Sequence, residues 1–392
     1  MFFDGQLSLL LLLACVSIVF GSMIEICPSY EILYPCFCNF MPKYGAKTVE
    51  CNDPNLITSE CHSSVITCIG NRMTQLRQIF QQIHPNNNHN NNGNGNGNYF
   101  QKFKWFYMID MELESLENNL FANIYFENIY LQNCPKLLYI NEYAFGNQSR
   151  LFVRNIYLNT TSLSDNTHWK RKTFKALSLL KNLHVLEFQS HSMQTLPYKA
   201  FSKFTDVKII RFYNPEQRGQ LIRINSKAFY RATKLEEIDL KNNRITHISS
   251  YAFHFQRPSR HELRIYLSGN DLHTDSFEPN AFDGGNRRRV ILYLGDYGHC
   301  NLMLKTLKQN VFETFLLENR QNIIDMYGCP LICDQQMDWL LSDDYRNQIR
   351  NLLCYNKTKL IDTDRYEYYH HIQFDREFFC FIEFLIIDFF SH

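Results

Sequence analysis

The sequence has almost no net charge and little glycine or proline. Its 392 residues include 40 lysines and arginines against 39 aspartates and glutamates, a formal net charge of +1. Such a chain has no overall field to attract nucleic acid or an anionic membrane, so binding driven by bulk charge is excluded. The 15 glycines and 11 prolines exclude a collagen-like chain, and the 45% hydrophobic content excludes a wholly disordered one. The length fits two or three domains or one extended repeat array.

Catalytic and cofactor-binding motifs are also missing. The sequence contains no Gly-x-Ser-x-Gly, His-Glu-x-x-His or Walker A motif. The glycine run at 93–97 lacks the flanking strand and helix of a dinucleotide site. His299 and the histidine pair at 370–371 have no further ligands at metal spacing around them. We therefore expect no enzyme activity, no cofactor and no metal.

Hydrophobic runs long enough to span a bilayer are absent too. The apolar run from Leu7 to Phe20 is 14 residues long and ends at a Gly-Ser pair. This length predicts a secretory signal peptide over residues 1–21, although the preceding segment contains no lysine or arginine. We therefore expect a secreted, extracellular protein.

The 13 cysteines cluster at the two ends of the chain. One lies in the predicted signal peptide, six lie at 27–68 and four at 300–354, while Cys134 and Cys380 are isolated. Clustered cysteines in an oxidising compartment predict disulfides, with a zinc site as the weaker alternative. Three glycosylation sequons agree with secretion and begin at Asn147, Asn159 and Asn356.

One pattern repeats along the chain, with apolar residues at relative positions 1, 4, 6, 11 and 14. The clearest copy begins at Leu235 and another begins at Leu183. The units begin at residues 103, 126, 153, 183, 207, 235, 262 and 289, and a partial unit precedes them around Ile66. Each unit ends in a small-Phe pair whose rings are Phe121, Phe145, Phe174, Phe201, Phe229, Phe253, Phe282 and Phe312. This period of 23 to 30 residues is typical of leucine-rich repeats.

The spacing within a unit predicts an α/β solenoid. Positions 4 and 6 point to one side of a short strand, so the strands of successive units stack into a curved parallel sheet, with turns or short helices opposite. Position 9 turns the chain away from the sheet, where an asparagine amide can bond backbone groups of adjacent coils. Asn243 and Asn270 are standard there, but six other units carry Met111, Cys134, Thr161, His191, Pro215 or Tyr297. We expect an irregular solenoid, locally weaker around Met111 and Pro215.

Six segments follow from these patterns. They are a signal peptide (1–21), a cysteine-rich cap with a partial repeat (22–80), an Asn/Gly-rich insertion (81–100), about eight repeats (101–320), a second cap (321–362) and an aromatic-rich tail (363–392). The core of the insertion, 85–98, has no apolar side chain and is predicted to be disordered. The apolar segment 378–390 holds Glu383 and Asp388, so we expect it to pack on the second cap, with an exposed, aggregation-prone segment as the alternative.

The two ends of the array resemble the caps of secreted leucine-rich-repeat proteins. The segment 27–68 opens with Cys-Pro and continues with Cys-x-Cys, and 329–340 resembles the family's carboxyl-terminal cap motif, with Gln335 in place of its second cysteine. The resemblance implies the pairs Cys27–Cys38, Cys36–Cys68, Cys51–Cys61 and Cys333–Cys354, although six cysteines allow 15 connectivities at the first cap. Cys329 is either a buried residue at position 9 or a partner of Cys300.

Within that family the chain resembles a narrower group. These are arthropod secreted proteins similar to the non-catalytic subunit of oplophorus-luciferin 2-monooxygenase, and the shared features are the Cys-Pro opening, the Ala-Phe unit endings and the Trp-Leu pair of the second cap. The resemblance implies no luciferase chemistry in this chain.

Position 5 of each unit points outward on the concave face of the sheet. It is occupied by Tyr107, Tyr130, Tyr157, Glu187, Arg211, Asp239, Tyr266 and Tyr293. Tyrosine is enriched at protein-binding hot spots, so two tyrosine patches around a charged centre predict a recognition surface, with ordinary strand propensity as the alternative explanation. A glycan on Asn159, at position 7, would shield part of it. The arginine run 287–289 is expected to be a solvated turn, with an anionic contact as the alternative.

These features predict a secreted module that binds a protein partner through its concave face, without nucleic acid or a transmembrane span. One alternative is the structural subunit of a secreted enzyme complex whose catalytic chain is another protein. Another is a membrane-tethered receptor ectodomain, which requires the tail to be a processed anchor.

Overall fold

The structure is a computed structural model of the chain. It describes residues 33, 36–42, 61–70, 76–83, 102–122, 124–147, 149–163, 167–189, 191–213, 218–257, 259–284, 288–296, 299–340, 342 and 344–354. The predicted signal peptide, most of the insertion and the aromatic tail lie outside these residues, and so do Cys27, Cys51, Pro215, Tyr297 and Asn356.

The described chain alternates short strands with turns. The strands are β1 (Cys36–Pro42), β2 (Cys61–Ile69), β3 (Lys102–Ile109), β4 (Ser115–Leu116), β5 (Tyr125–Cys134), β6 (Tyr139–Ile140), β7 (Asn155–Thr161), β8 (Val185–Gln189), β9 (Thr195–Leu196), β10 (Ile209–Tyr213), β11 (Arg223–Ile224), β12 (Glu237–Asp239), β13 (His247–Ile248), β14 (Leu263–Tyr266), β15 (Val290–Tyr293), β16 (Gly295–Asp296), β17 (His299–Cys300), β18 (Ile323–Asp325) and β19 (Ile349–Arg350). The helices are α1 (Leu76–Ile83), α2 (Thr167–Ser178) and α3 (Gln309–Glu318). None of these helices is long and apolar enough to cross a membrane.

Twelve strands form one sheet that runs the length of the described chain. Its order is β1-β2-β3-β5-β7-β8-β10-β12-β14-β15-β18-β19, and every pairing is parallel except β1 with β2. The apolar residues at position 4 are register neighbours: Ile129 pairs with Ile156, and Ile156 pairs with Leu186. Ile210 then links Leu186 to Ile238. The predicted leucine-rich-repeat solenoid is therefore confirmed.

The phenylalanines that end each unit form a buried spine behind the sheet. Phe174, Phe201, Phe229, Phe253, Phe282 and Phe312 follow one another with ring centroids 5.2 to 5.8 Å apart. A shorter run joins Phe80 of α1 to Phe121 and Phe145. No coil can bury its ring alone, because each ring packs on those of the coils before and after it.

A turn of left-handed backbone precedes several of these rings. The φ angles of Asn119, Lys199, Lys227, Tyr251 and Asn280 lie between 55° and 61°. Asparagine adopts this conformation readily, whereas lysine and tyrosine do so at a cost. The residue before the small-Phe pair must therefore adopt a left-handed conformation, which is favourable only in the units that have asparagine there.

The asparagines at position 9 of successive units form a row that we call the asparagine ladder. This row continues one coil further than the sequence pattern indicates. Asn243 donates to the Phe212 and Leu240 carbonyls at 2.6 and 3.1 Å, and Asn270 bonds the next coil in the same way. In the unit that begins at 289, Asn301 fills this role and donates to the Leu294 carbonyl at 2.7 Å.

The shift to Asn301 has a structural cause. The hairpin β16–β17 is inserted before the ladder position, so that position lies at 301 rather than at 297. Gly295 opens the hairpin, where an added Cβ would clash with the Tyr327 carbonyl oxygen.

Disulfides and packed aromatic residues close both ends. Cys36 is bonded to Cys68 across the antiparallel β1–β2 pair, and Cys38 is also disulfide-bonded. At the other end the bonds are Cys300–Cys329 and Cys333–Cys354. The Trp339 indole donates to the Leu307 carbonyl at 3.3 Å and packs on Tyr345, and β19 adds a strand that the repeat pattern does not predict.

The expectation of a solvated arginine turn is wrong for Arg288. This residue is 3% exposed, its guanidinium lies 4.1 Å from the Phe255 ring centroid, and its Nη1 donates to the Leu235 carbonyl at 2.7 Å. Burial lowers the pKa of Arg288 to about 10, so the group stays charged at neutral pH. Its neighbour Arg289 is paired with Glu262 at 3.1 Å.

Cys134 occupies a ladder position as a buried free thiol. Its Sγ lies 4.0 Å from the Met108 carbonyl oxygen, the group that an asparagine would reach. Burial raises the pKa of Cys134 to about 11, which leaves almost no thiolate at neutral pH. We expect iodoacetamide at about pH 8 to leave Cys134 unmodified in the folded protein and to modify it after denaturation. Peptide mass spectrometry checks this, and modification in the native state would contradict it.

Candidate functional site

The residues at position 5 form one continuous column across the concave face. Tyr107 pairs in register with Tyr130, Tyr130 with Tyr157, and Tyr157 with Glu187. The column then runs through Arg211, Asp239, Tyr266 and Tyr293. Thr67 extends it at one end, and Asp325 and Arg350 extend it at the other. All eight side chains singled out from the sequence therefore lie in a single row, and we call this row the concave column.

An aromatic cluster occupies the amino-terminal part of the column. It consists of Trp105, Tyr107, Tyr130 and Tyr157. The Trp105 ring stacks on Tyr107 at 5.5 Å and on Tyr157 at 6.1 Å, and Tyr130 lies 5.5 Å from Tyr107. Burial raises the pKa of Tyr107, and the neighbouring tyrosines raise it further. These rings support one another, so they are held in place before any partner binds.

Trp105 was missed by the analysis of position 5 alone. It lies two residues before Tyr107 on the same strand, and the period of two in a strand places both side chains on the same face. A search of position 3 would have found it.

An ion-pair triad forms the centre of the column. Arg211 donates from Nε to Glu237 at 2.7 Å and from Nη1 to Glu187 at 3.1 Å. Burial acts to lower the pKa of Arg211, but the hydrogen bonds and charges of the two glutamates outweigh it and raise the pKa. Glu187 is only 6% exposed because its neighbours cover it. Glu237, another residue at position 3, was not among the predicted site residues.

A second aromatic pair lies beyond the triad. The Tyr266 and Tyr293 rings are parallel within 8° and 4.5 Å apart, and Lys241 lies 5.1 Å from the Tyr266 ring centroid. Burial raises the pKa of Tyr266 to about 12, with a further contribution from Tyr293. Asp239, 8% exposed, lies 3.7 Å from the Lys241 ammonium, and burial raises the pKa of its carboxyl group.

Amide side chains join the aromatic and charged parts. Asn159 donates to the Tyr130 hydroxyl at 3.3 Å, and Gln189 donates to Glu187 at 2.7 Å and to the Tyr213 hydroxyl at 2.6 Å. Asn159 is half-buried in β7, whereas Asn147 is exposed in a turn. A glycan on Asn159 would therefore lie beside the column and shield part of it.

The side chains of this surface are held in place by mutual contacts. Among the described residues, no three His, Cys, Asp or Glu side chains are grouped so that they could hold a metal ion. Its polar groups are amides, hydroxyls and paired charges, interleaved with large flat rings.

The fold defines the class of protein: a leucine-rich-repeat solenoid with disulfide caps. A family model described as a BspA type leucine rich repeat region matches six copies, over residues 98–183 and 169–281. A search of curated proteins gives no match.

Several solved structures are similar to parts of the chain. The TLR13 chain of a TLR13–ssRNA13 complex is 18% identical with a TM-score of 0.40, covering 63% of this chain and 35% of that one. A chain of the Drosophila Toll–Spatzle complex is 14% identical with a TM-score of 0.39, covering 64% and 33%. A chain of an octameric complex of Latrophilin 3, Unc5D and FLRT2 is 15% identical with a TM-score of 0.33, covering 66% and 86%. This chain spans about a third of the length of the first two.

Proposed function

We propose that the protein is an extracellular module that binds a protein partner through the concave column. The observation that carries the proposal is the unbroken row of aromatic, charged and aromatic side chains in register across the sheet. From Tyr107 to Tyr293 the row crosses seven strand spacings, roughly 34 Å at the usual distance between strands. A row of that length matches a protein partner better than a small ligand.

The state of the aromatic groups supports this proposal. Tyrosine and tryptophan contribute large contact areas with few rotatable bonds, and they dominate protein-binding hot spots. Here the rings are already fixed by stacking, so little conformational entropy would be lost when a partner binds to them. The paired charges of the triad would give the interface its register and partner choice.

An extracellular location is supported by the covalent bonds of the caps. Three disulfides among the described residues are stable in an oxidising compartment, and the apolar segment at 7–20 fits a secretory signal. Glycosylation at Asn147, Asn159 or Asn356 is part of the same proposal.

The test uses the secreted protein as bait for extracellular proteins, with captured partners identified by cross-linking and mass spectrometry. Replacement of Tyr130, Tyr157 and Tyr266 by alanine should weaken binding of a captured partner by at least about tenfold, since hot-spot truncations cost 2 kcal/mol or more. Circular dichroism of the variant checks that the fold is retained.

The matched control changes tyrosines that lie off the concave face. Tyr143 and Tyr198 are both 56% exposed in the turns behind the sheet, and their replacement by alanine should leave binding unchanged. Equal affinity of the concave variant and the wild-type protein would discard the proposal.

A second candidate function is that of a non-catalytic subunit in a secreted enzyme complex. It rests on the Cys-Pro opening, the Ala-Phe unit endings and the Trp-Leu pair of the second cap. A stoichiometric enzyme partner recovered from native secretions would favour it, whereas a receptor or matrix protein would favour the first candidate. The membrane-tethered alternative depends on residues 363–392, outside the described part, and recovery of the full-length chain from medium without detergent would rule it out.

A further inference from the structure

A row of basic residues lies on the opposite side of the solenoid from the concave column. Three consecutive units carry a lysine directly before the small-Phe pair: Lys172, Lys199 and Lys227. The rings that follow them, Phe174, Phe201 and Phe229, stack at 5.2 and 5.3 Å. The lysines are therefore placed on successive coils along the solenoid axis. Lys203 and Arg231 are exposed four residues further along two of these coils, and we call the five residues the lysine ladder.

In the part of the chain that the structure describes, four of the five ladder residues lack acidic partners. Lys104, Lys136, Lys175, Lys208, Lys234 and Lys308 each lie within hydrogen-bonding distance of a carboxylate. Within the described residues, no carboxylate lies within 4.0 Å of Lys199, Lys203, Lys227 or Arg231. Asp206 and Glu278, acidic residues of nearby coils, are already bonded to Lys234 and to His247. The positive charge of Lys199, Lys203, Lys227 and Arg231 is thus not neutralised by a carboxylate of the described residues.

Two of the ammonium groups crowd on one ring. Lys199 Nζ lies 5.2 Å from the Tyr230 ring centroid and Lys227 Nζ lies 5.6 Å from it. Like charges that share one aromatic ring repel each other, and a bound anion between them would relieve this repulsion. His254 stacks on the same ring at 5.7 Å. The Tyr230 ring is therefore occupied by protein groups and is not a free platform for a nucleic-acid base.

The backbone at these lysines guides the choice of a substitution that keeps the fold. Lys199 and Lys227 have φ angles of 55° and 56°, in the left-handed region where equivalent positions carry Asn119 and Asn280. Tyr251 holds the same backbone in the following unit, so the turn belongs to the repeat, and asparagine adopts it more readily than lysine does.

From the charge, crowding and spacing of the ladder we infer that it binds a linear sulfated polysaccharide. Sulfate groups are anionic at every physiological pH, and a polymer bearing them along its length can place one against each coil. The disulfide-bonded caps fit the extracellular location proposed above, on which this choice of polymer rests and where polysaccharides of this kind are available. This site is separate from the concave column and requires no protein partner.

The test uses heparin as the probe and a variant whose fold is protected. In the K199N/K227N variant two charges are removed while asparagine favours the left-handed backbone, so the variant should fold at least as stably as the wild type. The wild type should bind heparin at about 0.15 M salt, and the variant should bind it about tenfold more weakly. The slope of log Kd against the logarithm of the salt concentration should be smaller by about two in the variant, because two fewer counterions are released on binding.

Two further arms make the result specific. The K136N/K208N variant removes the same charge from lysines that are paired with Glu112 and Glu236, and it should keep its heparin affinity within about twofold. Oligo-dT should bind more weakly than heparin and should not displace it. No heparin binding by the wild type, an equal loss in both lysine variants, or tighter binding of oligo-dT would each overturn the inference. Alanine at Tyr130 and Tyr157 should leave heparin binding intact, which separates this test from that of the concave column.

Discussion

Replacement of Phe229 by alanine is expected to lower the free energy of unfolding by about 3 to 5 kcal/mol. Phe229 is fully buried, and its ring lies 5.3 Å from Phe201 and 5.6 Å from Phe253. The substitution removes the transfer energy of one ring and leaves a cavity, and it also breaks the spine in the middle of the array. Because stability in a solenoid depends on contacts between neighbouring coils, the loss should be felt on both sides of the cavity.

Urea unfolding followed by circular dichroism measures this effect. The control is Y143A, whose ring is 56% exposed and whose loss should change stability by no more than about 0.5 kcal/mol. The F229L variant, which keeps part of the volume, should fall between the two. If F229A unfolded at the same urea concentration as Y143A, the spine would not be an energetic element of the fold.

Replacement of Asn270 by leucine is expected to cost about 1 to 3 kcal/mol although the two side chains have similar shapes. The buried Asn270 amide donates to the Leu240 and Leu267 carbonyls at 3.0 and 2.9 Å, and its oxygen accepts from the Ile245 amide at 3.1 Å. Leucine leaves these groups buried without this partner, and each unsatisfied group costs about 1 to 3 kcal/mol. The two carbonyls keep hydrogen bonds from Asn243 and Asn301 of the asparagine ladder. Most of the loss of stability therefore comes from the Ile245 amide, which has lost its acceptor.

The same unfolding measurement applies to N270L, with N310L as its control. Asn310 is exposed in the first turn of α3, so its replacement by leucine should have little effect. N270D is informative as well, because it keeps the acceptor for Ile245 but loses the donors that face two carbonyls. Equal stability of N270L and the wild type would mean that the asparagine ladder does not hold adjacent coils together.

The repeat period predicted most of the fold. The alternation of buried and outward positions in each unit fixed the parallel sheet, the spine and the eight-residue concave column, because these depend only on spacing within one coil. Trp105 and Glu237 belong to the same face, but they were missed because one position per strand was considered instead of alternate positions. The alternation itself contains that information.

Other features depend on contacts between neighbouring coils, and the spacing of residues within one repeat does not predict them. The β16–β17 hairpin moves the ladder role from position 297 to Asn301, and the stacking of coils buries Arg288 against Phe255, which lies in an earlier unit. The crowding of Lys199 and Lys227 on Tyr230 likewise joins residues of two coils.

The sequence by itself determined that this chain is a capped leucine-rich-repeat solenoid with an aromatic and charged inner face, since periodic apolar positions leave a solenoid as the arrangement that buries them all. The tertiary structure alone decided which side chains support one another and which charges stay unpaired. These outcomes depend on contacts between residues separated by a whole repeat, and insertions within a repeat change those contacts without changing the pattern.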